Sequence, residues 1–429
     1  MSFYQLPAHA KAPPACLLAA RIALNGDEHE WGTRMTLAAL VAAFDVEAGS
    51  PRAVLPLAGV TLVEHQIRRL AVAGAERPIL LVEQMTPSLA APLARLRADG
   101  IAVKVATSIS AAADLLAAEP RVLILADACL PDRALIDRVA TAGIPSIAVV
   151  PDTPEHAAFE RIDAEHRWAG IALLDGCRIA EVAQMVGDWD PISTMLRSAV
   201  QESAIRIEAG RDVPVLAGSP DMLRAAEARL IAASREASRG WSDRFLEAPI
   251  AEALLPQLFA RSIQPSLPSA LSAGLAIVGG AMVLGGYRWL ALIPLLLAGP
   301  LARMGQRLSL IQARRVPAAG ALATLRLIGR GMAALGLGWW LMQGSGQWGW
   351  LLVAMLLLGA MSGLVAARRI VAWLGDGKDP EWLATPSALG WALLPFGVIG
   401  SWPAGLAAIT LYAGASFGWT MWRALRLTR

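Results

Sequence analysis

The sequence predicts an α/β domain with a mixed sheet, followed by an all-α membrane domain of about six transmembrane helices. Three observations support this. Hydrophobic residues make up 55% of the 429 residues, and the mean hydropathy of +0.49 is high for a soluble protein. Strand-like and helix-like runs alternate in the first half. No Asp or Glu occurs between Glu252 and Asp376.

Charge is distributed unevenly along the chain. From residue 253 onward there are fourteen basic and three acidic residues, a net charge of +11, whereas residues 1–252 carry a net charge of −8. The two halves are therefore expected to be different kinds of domain. The predicted parts are an N-terminal segment that is unclear or begins the α/β domain (1–50), the α/β domain (51–238), an amphipathic juxtamembrane helix (239–264) and the membrane domain (265–429).

The α/β domain is predicted from apolar runs of four to seven residues that alternate with helical stretches, as in parallel βαβ units. Residues 36–44 fit a helix or a strand. The strand-like runs are 79–82, 101–105, 122–126 and 144–150, and the helical stretches are 61–73, 87–97, 111–118 and 133–142. Later runs at 170–174, 205–208 and 213–216 are expected to complete a mixed sheet, and 221–237 is expected to form a surface helix.

Asp127 follows the buried run 122–126 directly. Ligands of such sheets bind beyond the carboxyl ends of the strands, so this carboxylate is placed to hold a divalent cation against the phosphates of a nucleotide. The alternative is a helix or loop cap near Pro131. The three cysteines (Cys16, Cys129 and Cys177) lack metal-site spacing and are expected to be reduced thiols.

A resemblance to known enzymes is carried by residues 51–65, which read PRAVLPLAGVTLVEH. They resemble the KPLLPVGGKPLLEH segment of sugar-phosphate and MobA-like nucleotidyltransferases. The resemblance implies a Rossmann-like, GT-A type sheet, with Asp127 and Arg52 as candidate nucleotide or metal ligands and Mg²⁺ in this domain only. The glycine-rich loop of that family, LAxGxGxR, does not occur here. The resemblance therefore implies either a retained or a lost nucleotidyl transfer activity.

The juxtamembrane helix is predicted from residues 241–261, which place apolar side chains among polar ones: Trp241, Phe245, Ile250, Leu254, Leu258 and Phe259. We expect this helix to lie along the membrane surface. The alternative is a helix packed between the domains.

Six hydrophobic segments follow, at 268–286, 289–302, 318–342, 348–366, 384–400 and 403–422. With six spans, the Arg-rich connections all fall on one side, together with both termini and the α/β domain. That distribution predicts a protein of the bacterial inner membrane with these parts in the cytoplasm. On the opposite side, an interfacial aromatic belt is expected from Trp339, Trp340, Trp348 and Trp350.

Arg326 and Arg330 lie one helical turn apart in the third segment. Arginines at such depth either extend to the lipid headgroups or face a cavity or partner. The functional hypothesis is a site for phosphate or lipid headgroups that also includes Arg303, Arg307, Arg314 and Arg315.

The second segment carries a further resemblance, in the run from Ala298 to Arg303. Gly299, Ala302 and Arg303 match the GxxAR part of the motif DxxDGxxAR of CDP-alcohol phosphotransferases. The domain order is similar to that of bifunctional inositol-phosphate cytidylyltransferase/CDP-alcohol phosphotransferases. The aspartates of that motif hold divalent metals, but Leu295 and Ala298 stand at the first two aspartate positions. No metal is therefore expected in the membrane domain.

These resemblances imply a membrane-anchored and catalytically degenerate homologue in phospholipid or other lipid-headgroup metabolism, which binds a nucleotide, a phosphoalcohol or a lipid phosphate. One alternative is an active nucleotidyltransferase whose membrane half is only an anchor. A second is an accessory subunit for lipid transport. The expected partners are the lipid bilayer and a second copy or an active paralogue, and no nucleic acid.

Overall fold

A computed structural model describes residues 36–44, 46–47, 50–186, 191–218, 220–235, 240–374 and 380–427. The chain divides into two compact units, Met1–Arg229 and Leu230–Arg429. Most of the N-terminal segment 1–50 lies outside the described residues, including Cys16. Residues 36–44, which fit a helix or a strand in the sequence, contain a strand.

The first unit is built on a seven-stranded mixed sheet, as predicted. Its strands are β1 (Leu37–Ala43), β2 (Ala75–Val82), β3 (Lys104–Ala106), β4 (Arg121–Leu125), β5 (Ser146–Pro151), β6 (His166–Leu174) and β7 (Ile205–Glu208). Their order is β7-β5-β6-β4-β1-β2-β3. The four strands β4, β1, β2 and β3 are parallel, and β6 runs antiparallel to both β4 and β5.

Both faces of the sheet are covered by helices. These are α1 (Leu62–Val72), α2 (Pro87–Ala98), α3 (Ile109–Leu116), α4 (Arg133–Ala140), α5 (Gly176–Val186) and α6 (Pro191–Gln201); a further helix, α7 (Pro220–Arg235), follows the last strand. Every residue of β1 is buried, and alternate residues enter different cores. Leu37 and Val41 pack in the core with α1, α2 and α4, whereas Leu40 packs in the core with α3, α5 and α6. A strand buried on both faces has an uninterrupted apolar sequence, which explains why β1 lacks alternation.

The remaining regular structure of this unit is short. Three pairs of two-residue strands join Val46–Glu47 to Ser50–Pro51, Pro56–Leu57 to Val60–Thr61, and Cys129–Leu130 to Val215–Leu216. Single 3₁₀ turns occur at Arg52–Val54 and Pro154–His156. The run 213–216 therefore does not join the main sheet as expected, because Val215–Leu216 pairs instead with the segment that follows β4.

Helix α1 begins with a capping box that the sequence analysis did not identify. Glu64 Oε2 accepts hydrogen bonds from the backbone N–H and the hydroxyl of Thr61, at 2.9 and 2.8 Å. Arg95 also donates to both oxygens of this buried carboxylate, and Arg68 donates to Oε1 at 3.0 Å. Burial raises the pKa of Glu64, but the hydrogen bonds from Arg95 and Thr61 and the charge of Arg68 outweigh it, and the pKa lies below its usual value.

The second unit is helical. It contains a π-helical turn (Asp243–Glu247) that continues into α8 (Ala248–Ala260), and then α9 (Ser266–Leu284), α10 (Arg288–Ile311), α11 (Ala319–Ser345), α12 (Gly349–Trp373), α13 (Pro386–Ile399) and α14 (Trp402–Leu427). The last six correspond to the six predicted segments. Among the described residues, three helices are long and apolar enough to cross a membrane: α9, α10 and residues Gly349–Val371 of α12. Helix α13 is apolar but shorter.

Glycines allow α9 and α11 to cross at close range. A Cβ at Gly280 would lie 2.3 Å from the backbone oxygen of Gly329, and a Cβ at Gly329 would lie 2.3 Å from the carbonyl group of Ala276. Such backbone contact between helices requires residues without side chains. This interface holds α11 against α9. It also positions Arg330, which follows Gly329 on α11.

Tryptophans lie at the ends of these helices. Trp289 and Trp402 pack edge to face with ring centroids 5.1 Å apart, and the guanidinium of Arg288 lies 3.5 Å from the ring centroid of Trp340. Trp339 and Trp348 are exposed there. Exposed indoles at helix ends are typical of a membrane interface.

The prediction of reduced thiols is wrong for Cys177, which is disulfide-bonded. Cys129 is free and buried, and burial raises the pKa of its thiol. Spacing alone did not indicate this difference, because a disulfide depends on which cysteines approach each other in the fold.

Candidate functional site

The first candidate site is a cleft at the carboxyl ends of the parallel strands. The residues immediately after β1, β2, β3 and β4 all line it: Phe44, Glu83, Thr107 and Ala126. The cleft has a volume of about 1110 Å³. Its position agrees with the rule that ligands of such sheets bind beyond the carboxyl ends of the strands.

Asp127 and Arg52, the two residues predicted for this domain, both line this cleft. Arg52 begins the 3₁₀ turn that follows Pro51, and Asp127 follows β4. The structure adds Glu83 and Glu160, which the sequence analysis missed because each comes from a different strand end or loop. Glu160 accepts a hydrogen bond from the Ser193 hydroxyl at 2.9 Å.

The cleft offers both signs of charge, together with the aromatic rings of Phe44, Phe159 and Trp168. Aromatic walls and a few polar groups are typical of sites for small molecules. No group of three metal-ligating side chains is found anywhere in the described part of the chain.

The second candidate site is a cavity of about 360 Å³ in the helical unit. It is lined by Gly299, Ala302 and Arg303 of the predicted motif and by Arg326 and Arg330 of α11. The structure therefore brings together five of the residues that the sequence analysis had proposed from two separate helices. Arg307 is buried on α10 but does not line the cavity, and neither does Arg314 nor the exposed Arg315.

The carboxylates of this cavity come from the π-helical turn before α8. Asp243 and Glu247 are both buried and both line the cavity. Asp243 Oδ1 lies 2.7 Å from Arg303 Nε, and the two side chains are 10% and 5% exposed. The long stretch without Asp or Glu therefore receives its acids from the segment that precedes it.

A second ion pair connects α8 to α10. Glu252 Oε1 accepts a hydrogen bond from Arg307 at 2.9 Å, and the same carboxylate forms a bidentate pair with Arg235. Burial raises the pKa of Glu252, but the hydrogen bonds from Arg307 and Arg235 outweigh it, and the pKa lies below its usual value. Arg303 and Arg307 lie four residues apart, so one face of α10 supplies both pairs.

Glu247 lies against Gly299. A Cβ at residue 299 would be 2.7 Å from Glu247 Oε1, so a glycine is needed for this approach. The Ser387 side chain forms a hydrogen bond with the Glu247 carboxylate. Burial raises the pKa of Glu247, the negative charge of Asp243 adds to this, and the positive charges of Arg330 and Arg303 oppose it.

The segment predicted as a juxtamembrane helix is helical over Asp243–Glu247 and Ala248–Ala260, and two of its acids lie on the buried face. The buried face of the π-turn and α8 carries Asp243, Glu247, Ala251 and Leu255, whereas Phe245, Ile250 and Leu254 are exposed. A π-turn changes which residues share a face, and it leaves no clear signal in a single sequence.

Chemically, the cavity can hold an anion. Its five ionisable lining side chains, namely Asp243, Glu247, Arg303, Arg326 and Arg330, carry a net charge of +1 when all are ionised. Arg303 is already paired with Asp243. Neither Arg326 nor Arg330 has a carboxylate oxygen within 4 Å among the described residues.

A scan of the sequence against protein-family models gave no match, and a search of curated proteins found no significant relative.

Proposed function

We propose that this protein is a membrane-anchored and catalytically degenerate homologue of the bifunctional nucleotidyltransferase/CDP-alcohol phosphotransferases, acting in lipid-headgroup metabolism as a phosphate-binding protein. One observation carries the proposal. The residues that match the phosphotransferase motif, Gly299, Ala302 and Arg303, line a single cavity with Arg326 and Arg330. Guanidinium groups are the side chains best suited to phosphate oxygens.

The charge of the cavity supports binding without a metal ion. The carboxylate of Asp243 is engaged by Arg303, and no cluster of three metal ligands occurs among the residues that the structure describes. A phosphate dianion would be balanced directly by Arg326 and Arg330. Metal-assisted transfer needs carboxylates that hold the metal against the pyrophosphate, and of the two carboxylates that line this cavity, Asp243 is already paired with Arg303.

Binding of a phosphate ester to the detergent-solubilised chain tests the proposal. Glycerol phosphate, CTP and a CDP-alcohol should be titrated with and without Mg²⁺. We expect saturable binding that EDTA leaves unchanged and that Arg330→Met weakens about tenfold or more, since a hydrogen-bonded charge pair is lost. The exposed Arg369→Met is the matched control. Mg²⁺-dependent transfer of a phosphoalcohol from a CDP-activated donor, abolished by EDTA, would refute the proposal.

We further propose that the helical unit spans the bacterial inner membrane six times, with the Arg-rich ends on the cytoplasmic side. The three apolar helices, the exposed indoles of Trp289, Trp339 and Trp348, and the arginine distribution support this. The disulfide at Cys177 is unusual for a reducing compartment.

Cysteines introduced at exposed Arg315 and Trp348 provide the test of this topology. An impermeant maleimide should label position 348 and not 315 in intact cells, and the reverse pattern would overturn this topology.

A nucleotidyltransferase activity of the first unit is the alternative function. The position of Asp127 and Arg52 in a cleft at four parallel strand ends favours it. Under this alternative, Asp127→Ala abolishes pyrophosphate release from CTP or another nucleoside triphosphate in the presence of Mg²⁺. Asp221→Ala, an exposed acid at the start of α7, is the control. Unchanged release in the Asp127 variant would remove that residue from the site.

A further inference from the structure

The buried carboxylate of Glu247 has one oxygen without a hydrogen-bond donor. The Ser387 hydroxyl forms a hydrogen bond with the carboxylate, but none of the described residues donates one to Oε1. Glu247 is 4% exposed, so bulk water does not replace the missing donor. An acceptor left unsatisfied in such a place is costly, which indicates that something else fills the position.

Glu247 Oε1 lies beside the cavity that is proposed to bind the anion. Oε1 lies against Gly299, which lines the same cavity as Arg326 and Arg330. The groups that face Glu247 are Asp243 in its own turn, Arg303 on α10, Arg330 on α11 and Ser387 on α13. The guanidiniums attract an anion, whereas an ionised carboxylate beside them repels it.

A single proton between the carboxylate and the anion removes this conflict. If a phosphate oxygen carries a proton, that oxygen donates to Glu247 Oε1, and the other oxygens accept from the arginines. Phosphate monoesters have a second pKa of about 6, so they carry this proton at little cost near neutral pH. Sulfate has the same shape but carries no proton there, and both partners would then be acceptors.

We propose that this cavity selects phosphate groups that carry a hydrogen-bond donor, namely phosphate monoesters and inorganic phosphate, and that Glu247 is the residue that determines this selectivity. The inference rests on the proposed phosphate-binding function and names the ligand class for the same site. Glu247 accepts the hydrogen bond of the P–OH group, and Arg326 and Arg330 bind the remaining oxygens. Sulfate and phosphodiesters have no P–OH group at neutral pH and therefore bind this cavity more weakly.

The test compares inorganic phosphate with sulfate on the full chain in detergent at pH 7. Titration calorimetry should show phosphate binding at least about tenfold more tightly than sulfate, because one buried acceptor is satisfied only by phosphate. In Glu247→Gln the amide can donate to either anion. The ratio of the two dissociation constants should therefore fall to within about threefold, chiefly through tighter sulfate binding.

Glu381→Gln is the matched control, because Glu381 is an exposed carboxylate of the same unit that pairs with Arg244. Its phosphate-to-sulfate ratio should equal that of the wild type. If wild type binds both anions equally, or if Glu247→Gln leaves the ratio unchanged, the selectivity role of Glu247 is overturned while the phosphate site stands. If wild type binds neither anion, the proposed function itself fails. Should Glu247→Gln not fold, the wild-type ratio alone decides.

Discussion

Arg303 on α10 and Asp243 in the π-turn form an ion pair with Nε and Oδ1 2.7 Å apart, and both side chains are almost fully buried. Arg303 belongs to a stretch of more than a hundred residues without a single acid. Its counter-charge comes from sixty positions earlier in the chain. Buried charges are stable only when they are paired, so the π-turn and α10 depend on each other.

Removing one member of this pair should strongly destabilise the helical unit. Arg303→Met leaves the Asp243 carboxylate buried without its partner, at a cost of about 3–5 kcal/mol in the free energy of unfolding. An unfolding titration in mild detergent measures this. The double variant Asp243→Asn/Arg303→Met should recover part of the loss, because no charge is then left buried. Equal stability of the single and double variants would show that the pair is not coupled.

Gly299→Ala should displace Glu247. The added Cβ would lie 2.7 Å from Glu247 Oε1, and overpacking of this kind costs about 1–3 kcal/mol. Gly359→Ala is the matched control on α12. No atom of the described residues lies within 4 Å of a Cβ at that position, so alanine should be neutral or stabilising by up to about 1 kcal/mol. The thermal midpoint of each variant in detergent measures the difference.

Replacing Glu247 with a shorter side chain should restore stability to the Gly299→Ala variant. Glu247→Ser removes the carboxylate that the new methyl group meets, so Gly299→Ala/Glu247→Ser should be more stable than Gly299→Ala alone. A double variant that is no better than the single one would locate the strain elsewhere, for example at Ser387, whose Cβ lies 3.4 Å from the same position.

The stability of the helical unit should fall as the pH rises, because of Glu247. Burial raises the pKa of this carboxyl, so the folded state holds the proton at pH values where the unfolded chain has released it. The loss begins above the unfolded value near 4.5 and continues up to the folded pKa. Glu247→Gln should therefore be closest to wild type at pH 4 and become more stable than wild type as the pH rises towards 8. Unfolding titrations across this range decide, with Glu381→Gln as the control that keeps the wild-type slope.

Glu64 should have the opposite pH dependence in the α/β unit. Its pKa lies below the ordinary value, since the hydrogen bonds of Arg95 and Thr61 and the charge of Arg68 outweigh burial. The stabilisation is fully present above the unfolded value of about 4.5 and is lost as the pH falls through the folded pKa. Glu64→Gln should lose about 3 kcal/mol at pH 7 and less at pH 4. Hydrogen exchange of the α1 amides is the measurement, and a pH-independent difference would contradict the assignment.

Much of the architecture could be predicted because hydrophobic periodicity reports it directly. The alternation of apolar runs and helical stretches predicted strands β2 to β7 and most helices of the first unit, and six apolar segments predicted α9 to α14. Strand β1 was ambiguous since both of its faces are buried, which removes the alternation that marks a strand. The run 213–216 was assigned to the wrong sheet because pairing partners are set by tertiary structure.

The sequence predicted the arginines of the candidate site but not its acids. Arg303, Arg326 and Arg330 stood out as charges in an apolar sequence, and the structure places them around one cavity. Asp243 and Glu247 did not stand out, since acids are common in the segment before the first apolar helix. Their burial depends on a π-turn and on Gly299, and both are contacts between distant parts of the chain.

The π-turn also makes this segment sensitive to chain length. A π-helix closes each hydrogen-bonded ring with one residue more than an α-helix, so it accommodates one additional residue without changing the path of the chain. Deleting one residue between 243 and 247 would restore α-helical geometry and rotate everything upstream by about 100°. Trp241 would then leave the Tyr412 hydroxyl, which its indole N–H reaches at 2.9 Å, while α8 stayed on α10. Substitutions here change the chemistry of the cavity, whereas a single deletion would turn Asp243 away from it and break its ion pair with Arg303.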